Sequence, residues 1–261
     1  MTIKPYYSEP GIEKKDFIYD GQGNLLGERT VVGFGSGGFC VKDIDRKVAN
    51  DLIKKHHYSK KYYSASYIHL GVFCSGEIVG VLQYGYAMNP ASQSSVVAGT
   101  EIDEYLELNR MWLDDDAPPN SESKAISYSI KYIRRKYRKI KWIQSFADER
   151  CGCFGIVYQA ANFDYYGEHT AIFWTLDDEI YHNSLMTRNP SLSKAAAHLQ
   201  ENKDRATSQK LRQFRYIYFL DTRCRKQCLL QQRPYLKHYH RQEVLPLNQP
   251  TQEKQEQGEL C

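Results

Sequence analysis

Apolar and polar residues alternate along several short stretches of this chain, and between them the apolar spacing changes to that of helices. Alternation over residues 67–73 and 78–86 predicts two strands joined as a hairpin, and residues 104–113 predict the next strand. Isoleucines every three or four residues then predict an amphipathic helix that begins near Ser121 or Ser123. The pattern therefore indicates strands with a flanking helix.

The N-terminal part of this pattern is less regular. Residues 31–41 predict a glycine-loosened strand, and the glycines at 33–38 fit no dinucleotide fingerprint, so we interpret them as a bulged strand or a loop over the site. Asp43 is predicted to cap a helix with Val48 on its buried stripe. That helix runs into the polar cluster His56-His57-Tyr58-Ser59.

The most informative stretch runs from Cys151 to Gly167 and directly follows a predicted strand at 142–148. Its apolar residues fall on one helical face, and Asn162 can end the helix in a left-handed turn. A further strand is predicted at 170–175. This strand, short helix with Tyr-x-Ala-Ala-Asn-Phe, and return strand resemble the second half of a GNAT-type acyltransferase domain.

The order of elements predicts an α/β protein with a GNAT-like fold, in which a central mixed sheet is flanked by helices. We expect this domain to span residues 31–220, after an N-terminal extension at 1–30. It includes a basic helical insertion at about 189–215, before a last strand at 216–220. Residues 221–261 form the basic C-terminal extension, which we predict to be a flexible tail.

Charge is segregated along the chain, although the formal net charge is only +4. Basic residues concentrate at 124–141 and again at 203–241, whereas acidic residues gather at 114–116 and 177–179. This segregation favours a polyanionic partner, with nucleic acid first. For the first basic block taken alone, a solvated helix face is the alternative.

The cysteines and the N-terminus indicate the compartment. The chain has 7 cysteines, an odd and scattered set, and residues 1–10 contain no apolar signal core. No apolar run approaches the roughly 20 residues that a membrane span needs. We therefore expect a soluble intracellular protein with free thiols and no membrane partner. The spacings Cys151-x-Cys153 and Cys224-x3-Cys228 do not form the paired Cys-x2-Cys units of a zinc site.

Two predicted strands carry unusual polar residues near their ends. Arg110 lies in line with Leu106 and Leu108 on one predicted strand face. A permanent charge there is costly unless it meets an anion. Asp148 ends the next strand, where a carboxylate suits a general base, a metal ligand or an orienting group. The alternatives are a structural ion pair of Arg110 with Asp148 or Glu107, and capping of the next turn by Asp148. If the functional interpretation holds, Arg110 and Asp148 face a common cavity.

Other polar residues suit a cofactor. Ser121 and Ser123 stand at a helix start, where free N–H groups and hydroxyls bind phosphate or pyrophosphate. Acyl-CoA-dependent GNAT members usually have a glycine-rich loop there, whereas residues 118–124 contain no glycine. Nitrogen and oxygen ligands for iron or another borderline divalent ion are available if four residues from separate elements converge. These four are His57, Tyr58, Asp148 and Tyr158.

Four segments together resemble the Mom family of Mu-like phages, over about residues 30–220. They are His56-His57-Tyr58-Ser59, residues 107–113, residues 145–148 and residues 158–167. The resemblance implies a phage-encoded enzyme of the GNAT superfamily that acts in the host cytoplasm. It implies transfer of an acetamido (carbamoylmethyl) group to adenine N6 in double-stranded DNA, which protects the phage genome from host restriction.

The resemblance also implies site residues, a metal and a donor. The important positions correspond to His57, Tyr58, Arg110, Ser123, Asp148 and Tyr158. His57, Tyr58, Asp148 and Tyr158 match the ligands of a ferrous ion. An acyl donor such as acetyl-CoA is implied, whereas a glycine-derived donor, free or carrier-borne, would supply both carbons and the nitrogen of the acetamido group. The identity of the donor therefore stays open.

Two other functions fit the same fold. One is an ordinary N-acetyltransferase that acts on a protein or a small amine, and the other is a non-enzymatic DNA-binding protein. The segregated basic charge fits the two hypotheses that involve DNA better than it fits the acetyltransferase. Tyrosine-rich strands would permit a homodimer, but nothing in the sequence specifies one.

Overall fold

A computed structural model of the chain describes residues 14–23, 29–149, 152 and 154–236. Its strands are β1 (Asp16–Gly23), β2 (Arg29–Gly35), β3 (Phe39–Asp43), β4 (Ser66–Cys74), β5 (Glu77–Gly85), β6 (Tyr105–Leu113), β7 (Trp142–Asp148), β8 (Asp164–Leu176), β9 (Glu179–His182) and β10 (Thr207–Phe219). The α-helices are α1 (Arg46–His56), α2 (Ser121–Lys136), α3 (Ile156–Ala160), α4 (Ser184–Thr187) and α5 (Lys194–Glu201).

The strands form one 10-stranded sheet in the order β1-β2-β3-β4-β5-β6-β7-β10-β8-β9. Neighbouring strands pair antiparallel, except β6 and β7, which are parallel. The predicted mixed α/β architecture, a central mixed sheet flanked by helices, is confirmed. In the part of the chain that the structure describes, no helix has the length and apolar character needed to cross a membrane.

The two parallel strands stay together only briefly. Residues 105–107 of β6 pair with residues 142–144 of β7. Beyond this point a side-chain hydrogen bond still connects the two strands: the Ser145 hydroxyl donates to the Leu108 carbonyl at 3.3 Å. Both strands continue past their last pair and end in different connections. Such diverging strand ends are where α/β sheets place ligands.

Helices cover both faces of the sheet. On one face, Ile130 of α2 shares a core with Leu108 of β6. On the other, Ile53 of α1 packs in a cluster with Trp112 of β6, whose ring stacks on His56 at 4.1 Å. We call these the α2 face and the α1 face. Each face buries its own apolar layer, so a side chain's alternation on a strand decides which helix it meets.

Several predicted elements agree closely with the structure. The hairpin of β4 and β5, the strand β7 and the amphipathic helix α2 are all present. Asn162 has φ of 63°, which is the predicted left-handed turn after α3. These elements are fixed by local periodicity and by turn residues, which act within a few positions of the chain.

The prediction for residues 31–45 was wrong in two details. The glycine-rich segment forms a hairpin of β2 and β3 rather than one strand. Asp45 caps α1 by accepting from the Lys47 N–H at 2.7 Å, while Asp43 accepts from Lys136 in an ion pair of 2.5 Å. Val48 is 47% exposed, so it is not part of the buried stripe.

The predicted helical insertion at 189–215 is helical only in its first part. It contains α5 and short 3-10 helices at Pro190–Leu192 and Lys203–Arg205. Residues 207–215 belong to β10, which pairs with β8 over most of its length and with β7 at its end. The prediction failed because pairing with distant strands outweighs the local preference of a polar segment.

The prediction of a flexible tail from residue 221 was wrong up to residue 236. A 3-10 helix forms at Thr222–Gln227, and the chain then packs against the sheet. The Leu229 N–H donates to the Val96 carbonyl at 2.9 Å, and the Tyr235 hydroxyl donates to the Phe163 carbonyl at 2.7 Å. Residues 237–261 lie outside the described residues. The predicted N-terminal extension contributes β1 to the sheet, and its residues 1–13 and 24–28 are likewise not described.

Tyr216 of β10 holds the segment that forms α3. Its hydroxyl donates to the Phe154 carbonyl and accepts from Gln159 Nε2 at 3.0 Å. Between these contacts Gly155 adopts φ of 82°, and a Cβ there would lie 2.3 Å from Tyr216 Cε2. Glycine is therefore required at this position both by the backbone conformation and by the aromatic ring.

We expect Gly155→Ala to destabilise the protein by about 2–5 kcal/mol, since a left-handed alanine costs about 1–2 kcal/mol and overpacking adds about 1–3 kcal/mol. Gly99→Ala is the matched control, because Gly99 has φ of 71° but no atom within 4 Å of the added Cβ. Urea unfolding of both variants measures the difference. Equal losses of stability would show that the Tyr216 ring is unimportant.

Candidate functional site: the strand-split cluster

Polar and aromatic side chains collect on the α1 face where β6 and β7 separate. They come from β6, β7, β10 and the loop between α1 and β4. We call this group the strand-split cluster, and it consists of Tyr63, Glu107, Arg110, Gln144, Phe146 and Arg215. It lies at the sheet position where ligands are expected.

Glu107 is at the centre of the cluster. One carboxylate oxygen accepts from Gln144 Nε2 at 2.9 Å, and the other accepts from Asn109 Nδ2 at 3.2 Å. Burial raises the pKa of the Glu107 carboxyl to about 7, although these hydrogen bonds and the charges of Arg110 and Arg215 oppose the shift. The residue still keeps part of its surface open to solvent.

Arg110 does not lie in line with the leucines of its strand, so this part of the prediction was wrong. Gln83 pairs with Arg110 and Tyr84 pairs with Leu108, which leaves Asn109 as an extra residue. This β-bulge reverses the alternation. Leu106 and Leu108 therefore pack on the α2 face, whereas Arg110 lies on the α1 face with Trp112.

The Arg110 guanidinium is fixed by backbone oxygens. Its Nε donates to the Lys61 carbonyl at 2.9 Å, and one terminal nitrogen donates to the Asn109 carbonyl at 2.6 Å. The guanidinium carbon lies 5.9 Å from the centre of the Tyr63 ring. These contacts join the loop before β4 to the end of β6, so the loop helps to position the cation.

Asp148 is 7% exposed and is the last residue of β7. Regular pairing of β7 with β10 carries the alternation through to this residue, so its side chain is on the same face as Gln144 and Phe146. Arg110 is on that face as well. The two predicted site residues therefore share one face of the sheet, at the two diverging strand ends.

Two surface cavities lie away from this pair. One of about 720 Å³ is lined by α2 and the start of β7, and one of about 430 Å³ lies beside α1. Neither is lined by Arg110 or Asp148. A common cavity between these two side chains stays a prediction.

Tyr158 lies on the other side of the sheet. It is 8% exposed and belongs to the α2-face core. Its ring centre is 5.4 Å from that of Tyr216 and 5.7 Å from that of Phe163. The packing of Tyr158 explains the helical motif around it, whereas its predicted catalytic role stays a prediction.

His57 and Tyr58 follow directly after α1. His57 is 7% exposed, and its ring centre is 4.3 Å from that of Tyr58, which is 54% exposed. The Ser59 N–H donates to His57 Nδ1 at 3.1 Å. His57 Nδ1 also lies 2.8 Å from the Ser59 hydroxyl, so Ser59 fixes the orientation of the ring.

This hydrogen bond bears on the predicted ferrous site. A histidine that binds a metal through Nε2 normally donates its Nδ1–H to an acceptor, and the Ser59 hydroxyl, 2.8 Å from His57 Nδ1, can take that place. The side chains of Asp148 and Tyr158, however, lie on opposite faces of the sheet. This separation fits one common metal ion poorly. Among the described residues no group of three or more His, Cys, Asp or Glu is arranged to bind a metal, but the predicted set contains only two residues of these types. Iron binding stays a prediction, and Cys151 and Cys153 lie outside the described residues.

The start of α2 uses its hydroxyls internally. Ser121 is 2% exposed and donates to the Pro118 carbonyl at 2.6 Å. Ser123 donates to the Asn120 carbonyl at 3.2 Å. Asn120, the residue before the helix, has φ of 66° and makes no side-chain cap. Binding of a phosphate or pyrophosphate by Ser121 and Ser123 stays a prediction.

Four arginines of the C-terminal third are paired with acids. These pairs are Arg205–Asp177 at 2.6 Å, Arg212–Glu149 at 2.6 Å, Arg223–Asp221 at 2.7 Å and Arg225–Asp164 at 2.8 Å. They orient the chain around β8 and β10 and reduce the local positive charge. The C-terminal third is therefore less cationic in three dimensions than its sequence indicates.

The second half of α2 differs. Four cations in it and just after it have no ion pair among the described residues, and we call them the α2 basic surface. They are Lys131, Arg134, Arg135 and Arg138. All four line the 720 Å³ cavity. This cavity lies at the opposite end of β6 and β7 from Arg110 and Asp148, because it includes the residues that precede both strands.

Sequence reasoning named Glu107 only as an ion-pair partner of Arg110, and it did not single out Tyr63 or Arg215. One signal was available, since Glu107 stands between Tyr105 and Asn109 on a strand that is otherwise rich in leucine. Its neighbour Arg215 is far away in the sequence. Only the pairing of β10 with β7 places Arg215 directly beside Phe146, with the guanidinium carbon 5.0 Å from the ring centre.

Comparisons with a family model and with a characterised protein both relate this chain to the Mom family. The Mom protein family model matches residues 38–237 of this chain. The methylcarbamoylase mom of Escherichia phage Mu is 46% identical over 230 residues, which cover 87% of this chain and 95% of that protein. The family match includes all of the strand-split cluster and every predicted site residue.

Solved structures with a similar fold include two acetyltransferases. NAA60 of Arabidopsis thaliana in complex with acetyl-CoA is 9% identical and has a TM-score of 0.45, with 70% of this chain and 99% of that chain covered. The ribosomal-protein-S5-alanine acetyltransferase of Vibrio fischeri is 12% identical, has a TM-score of 0.44, and covers 73% of this chain and 97% of its own. Likeness at this level says nothing about ligands.

Glu107 makes the stability of the protein depend on pH. Its pKa is raised from 4.5 in the unfolded chain to about 7 in the folded protein. Between these two pH values the folded state therefore holds a proton that the unfolded state has lost. The contribution of Glu107 to the free energy of unfolding therefore falls as pH rises from about 4.5 to about 7. We expect Glu107→Gln to remove this fall and to gain stability relative to the parent at pH 8, on the order of 3 kcal/mol.

Urea unfolding at pH 4.5 and pH 8 measures the effect as a difference between variant and parent. Glu77→Gln is the control, because Glu77 is exposed at the start of β5. Parallel pH profiles for Glu107→Gln and the parent would contradict the assignment.

Proposed function

This chain belongs to the Mom protein family, and on that premise we propose that it is a methylcarbamoylase that transfers a carbamoylmethyl group to adenine N6 in double-stranded DNA. The observation that carries the proposal is the 46% identity to the methylcarbamoylase of phage Mu over 87% of this chain. The arrangement of Arg110 and Asp148 on one face, at diverging strand ends, supports it. We further propose that the modification protects phage DNA from restriction in the host cytoplasm.

The target adenine must leave the duplex stack before N6 can enter a site of this kind. Aromatic rings beside the strand-split cluster can then stack on the base. Phe146 and Tyr63 are in the cluster, and the exposed Tyr58 ring lies after α1. Tyr158 is less suitable for stacking, because its ring is already packed between other aromatic rings.

The chemistry needs a proton acceptor. The lone pair of adenine N6 is delocalised into the ring, so N6 becomes an effective nucleophile only as it loses a proton. Asp148 was predicted to act as a general base, a metal ligand or an orienting group, and Arg110 provides a fixed positive charge for an anionic part of the donor or of the DNA. A donor that already contains the carbamoylmethyl group accounts for the product more directly than acetyl-CoA does.

Contact with DNA phosphates is assigned to the α2 basic surface rather than to the C-terminal third. Its cations have no described acidic partner, whereas four arginines of the C-terminal third are held in ion pairs. Unpaired cations gain most from a polyanion, because no existing ion pair must first be broken. The surface lies away from the strand-split cluster, so it would hold duplex at a distance from the extruded base.

Asp148→Asn and Arg110→Gln are expected to reduce carbamoylmethyl-adenine in the DNA of expressing cells by about 100-fold or more, the loss expected for a missing acid–base or positioning group. Nucleoside mass spectrometry measures the product directly. Asp115→Asn is the control, since Asp115 is exposed in the loop after β6. An unmodified nucleoside pool from the parent protein would refute the proposed function, and full activity of both variants would refute the assigned site.

Reversal of charge at Arg134, Arg135 and Arg138 is expected to weaken duplex binding and to reduce the slope of log affinity against log salt by about 0.9 for each phosphate that the protein no longer neutralises. Binding is measured by fluorescence anisotropy at salt concentrations from about 50 mM to about 200 mM. A matched control reverses Lys55, Lys194 and Lys203, which are exposed elsewhere. Equal weakening in the two triple variants would indicate a general charge effect and no specific surface.

A further inference from the structure

We propose that Glu107 is a catalytic residue of this transfer and that its carboxylate accepts the proton that adenine N6 loses. The inference rests on the proposed function and assigns a role in it to a residue that the sequence patterns did not select. Asp148, at the nearby strand end, then orients the reactants and is not the proton acceptor.

The first argument is position. Glu107 and Gln144 are the last residues of the parallel pairing between β6 and β7, and their side chains join across the two strands at 2.9 Å. The carboxyl group is therefore anchored to two rigid strands and cannot swing away. The residue as a whole is nevertheless only partly buried, and a proton acceptor must be within reach of its substrate.

The second argument is hydrogen-bonding capacity. Each Glu107 oxygen accepts one amide N–H, from Asn109 or Gln144, and each retains a further lone pair. Gln144 is 5% exposed, and its Oε1 has no hydrogen-bond partner among the described residues. An orphaned acceptor of this kind needs a donor. The adenine amino group carries two N–H bonds, so Glu107 and Gln144 Oε1 together match what N6 offers.

The third argument is electrostatic. Burial favours the neutral acid, while Arg110 on β6 and Arg215 on β10 favour the carboxylate. These opposing effects place the pKa of Glu107 at about 7, where an acceptor is both ionised and basic enough to act. Tyr63 and Tyr105 also face this carboxyl, and the pKa of each phenol is raised, so both stay neutral in this range.

His169 on β8 is another titratable group next to the cluster. Its ring centre lies 5.3 Å from that of Phe146, and burial, together with the charge of Arg215, lowers its pKa. A lowered pKa makes His169 neutral near pH 7. Glu107 is therefore the group of this set whose charge changes in the neutral range.

The step is a substitution. A bond forms between adenine N6 and the methylene carbon of an activated carbamoylmethyl donor, and the bond from that carbon to the leaving group breaks with its electron pair. The N6 proton passes to the Glu107 carboxylate and then to the leaving group or to solvent. No oxidant or reductant is needed, because the donor already has the oxidation level of the product.

The test compares the parent, Glu107→Gln and Glu107→Asp as full-length proteins on duplex DNA. Extract of host cells supplies the donor, and mass spectrometry of the nucleosides gives initial rates from pH 5.5 to 8.5. The ratio of variant to parent rates in the same extract cancels any effect of pH on donor supply. Thermal unfolding and duplex affinity are measured for each protein.

The parent rate is expected to rise about tenfold per pH unit below pH 7 and to level above it, as the acceptor ionises. Glu107→Gln keeps the size of the side chain and should not destabilise the protein, but its rate should fall about 100-fold or more at pH 8 and lack this rise. Glu107→Asp should restore part of the rate together with the rise. Duplex affinity should not change.

Two results would separate the possible failures. If the parent produces no carbamoylmethyl-adenine, the proposed function is wrong. If the parent is active and Glu107→Gln retains its rate and its pH profile, Glu107 is not the proton acceptor. A uniform loss with an unchanged pH profile would also overturn the proposal, since that pattern belongs to a residue with only a structural role.

Discussion

The early separation of β6 and β7 is the constraint on which the rest of this structure depends. The two strands are the only parallel neighbours in the described sheet, and their pairing ends at Glu107 and Gln144. Every other strand is tied to its neighbours by antiparallel pairing. The sheet is therefore fully paired on either side of β6 and β7 and splits between these two central strands. Polar side chains can lie at this split without interrupting the apolar layers on either face.

The bulge at Asn109 determines which charged side chain lies at the split between β6 and β7. It moves Arg110 away from the leucine layer that packs under α2 and places it on the same face as Asp148. Without the extra residue, the charge would point into an apolar core, where burial is costly. One inserted position thus moves the cation out of the apolar layer, and bulges near functional sites commonly redirect a side chain in this way.

On the side of β7 away from β6, the sheet is held by β10, which pairs with strands that are distant in the sequence. The strand joins β7 to β8, contributes Arg215 to the strand-split cluster on one face, and contributes Tyr216 to the anchoring of α3 on the other. Ion pairs along the same region neutralise cations that look available in the sequence. The four cations of the α2 basic surface have no described ion pair, so the proposed surface for DNA and the proposed site for chemistry are built from different elements.

Local pattern was enough to predict the elements but not the faces of their residues. The spacing of apolar residues predicted α2, β7 and the hairpin of β4 and β5, and the strand ends carrying Arg110 and Asp148 followed from them. The Mom resemblance, carried by short motifs, was confirmed over residues 38–237. The predicted roles of individual site residues were not tested by these comparisons.

The sequence alone determined the secondary-structure periods, the mixed α/β class and the family, because each is encoded within short stretches of chain. Only the tertiary structure decided that residues 207–215 form a strand, that residues 221–236 pack against the sheet, and that the pKa of Glu107 is raised to about 7. These features depend on partners far away in the chain. Burial and charge at a point in space are sums over such partners, and no local pattern contains them.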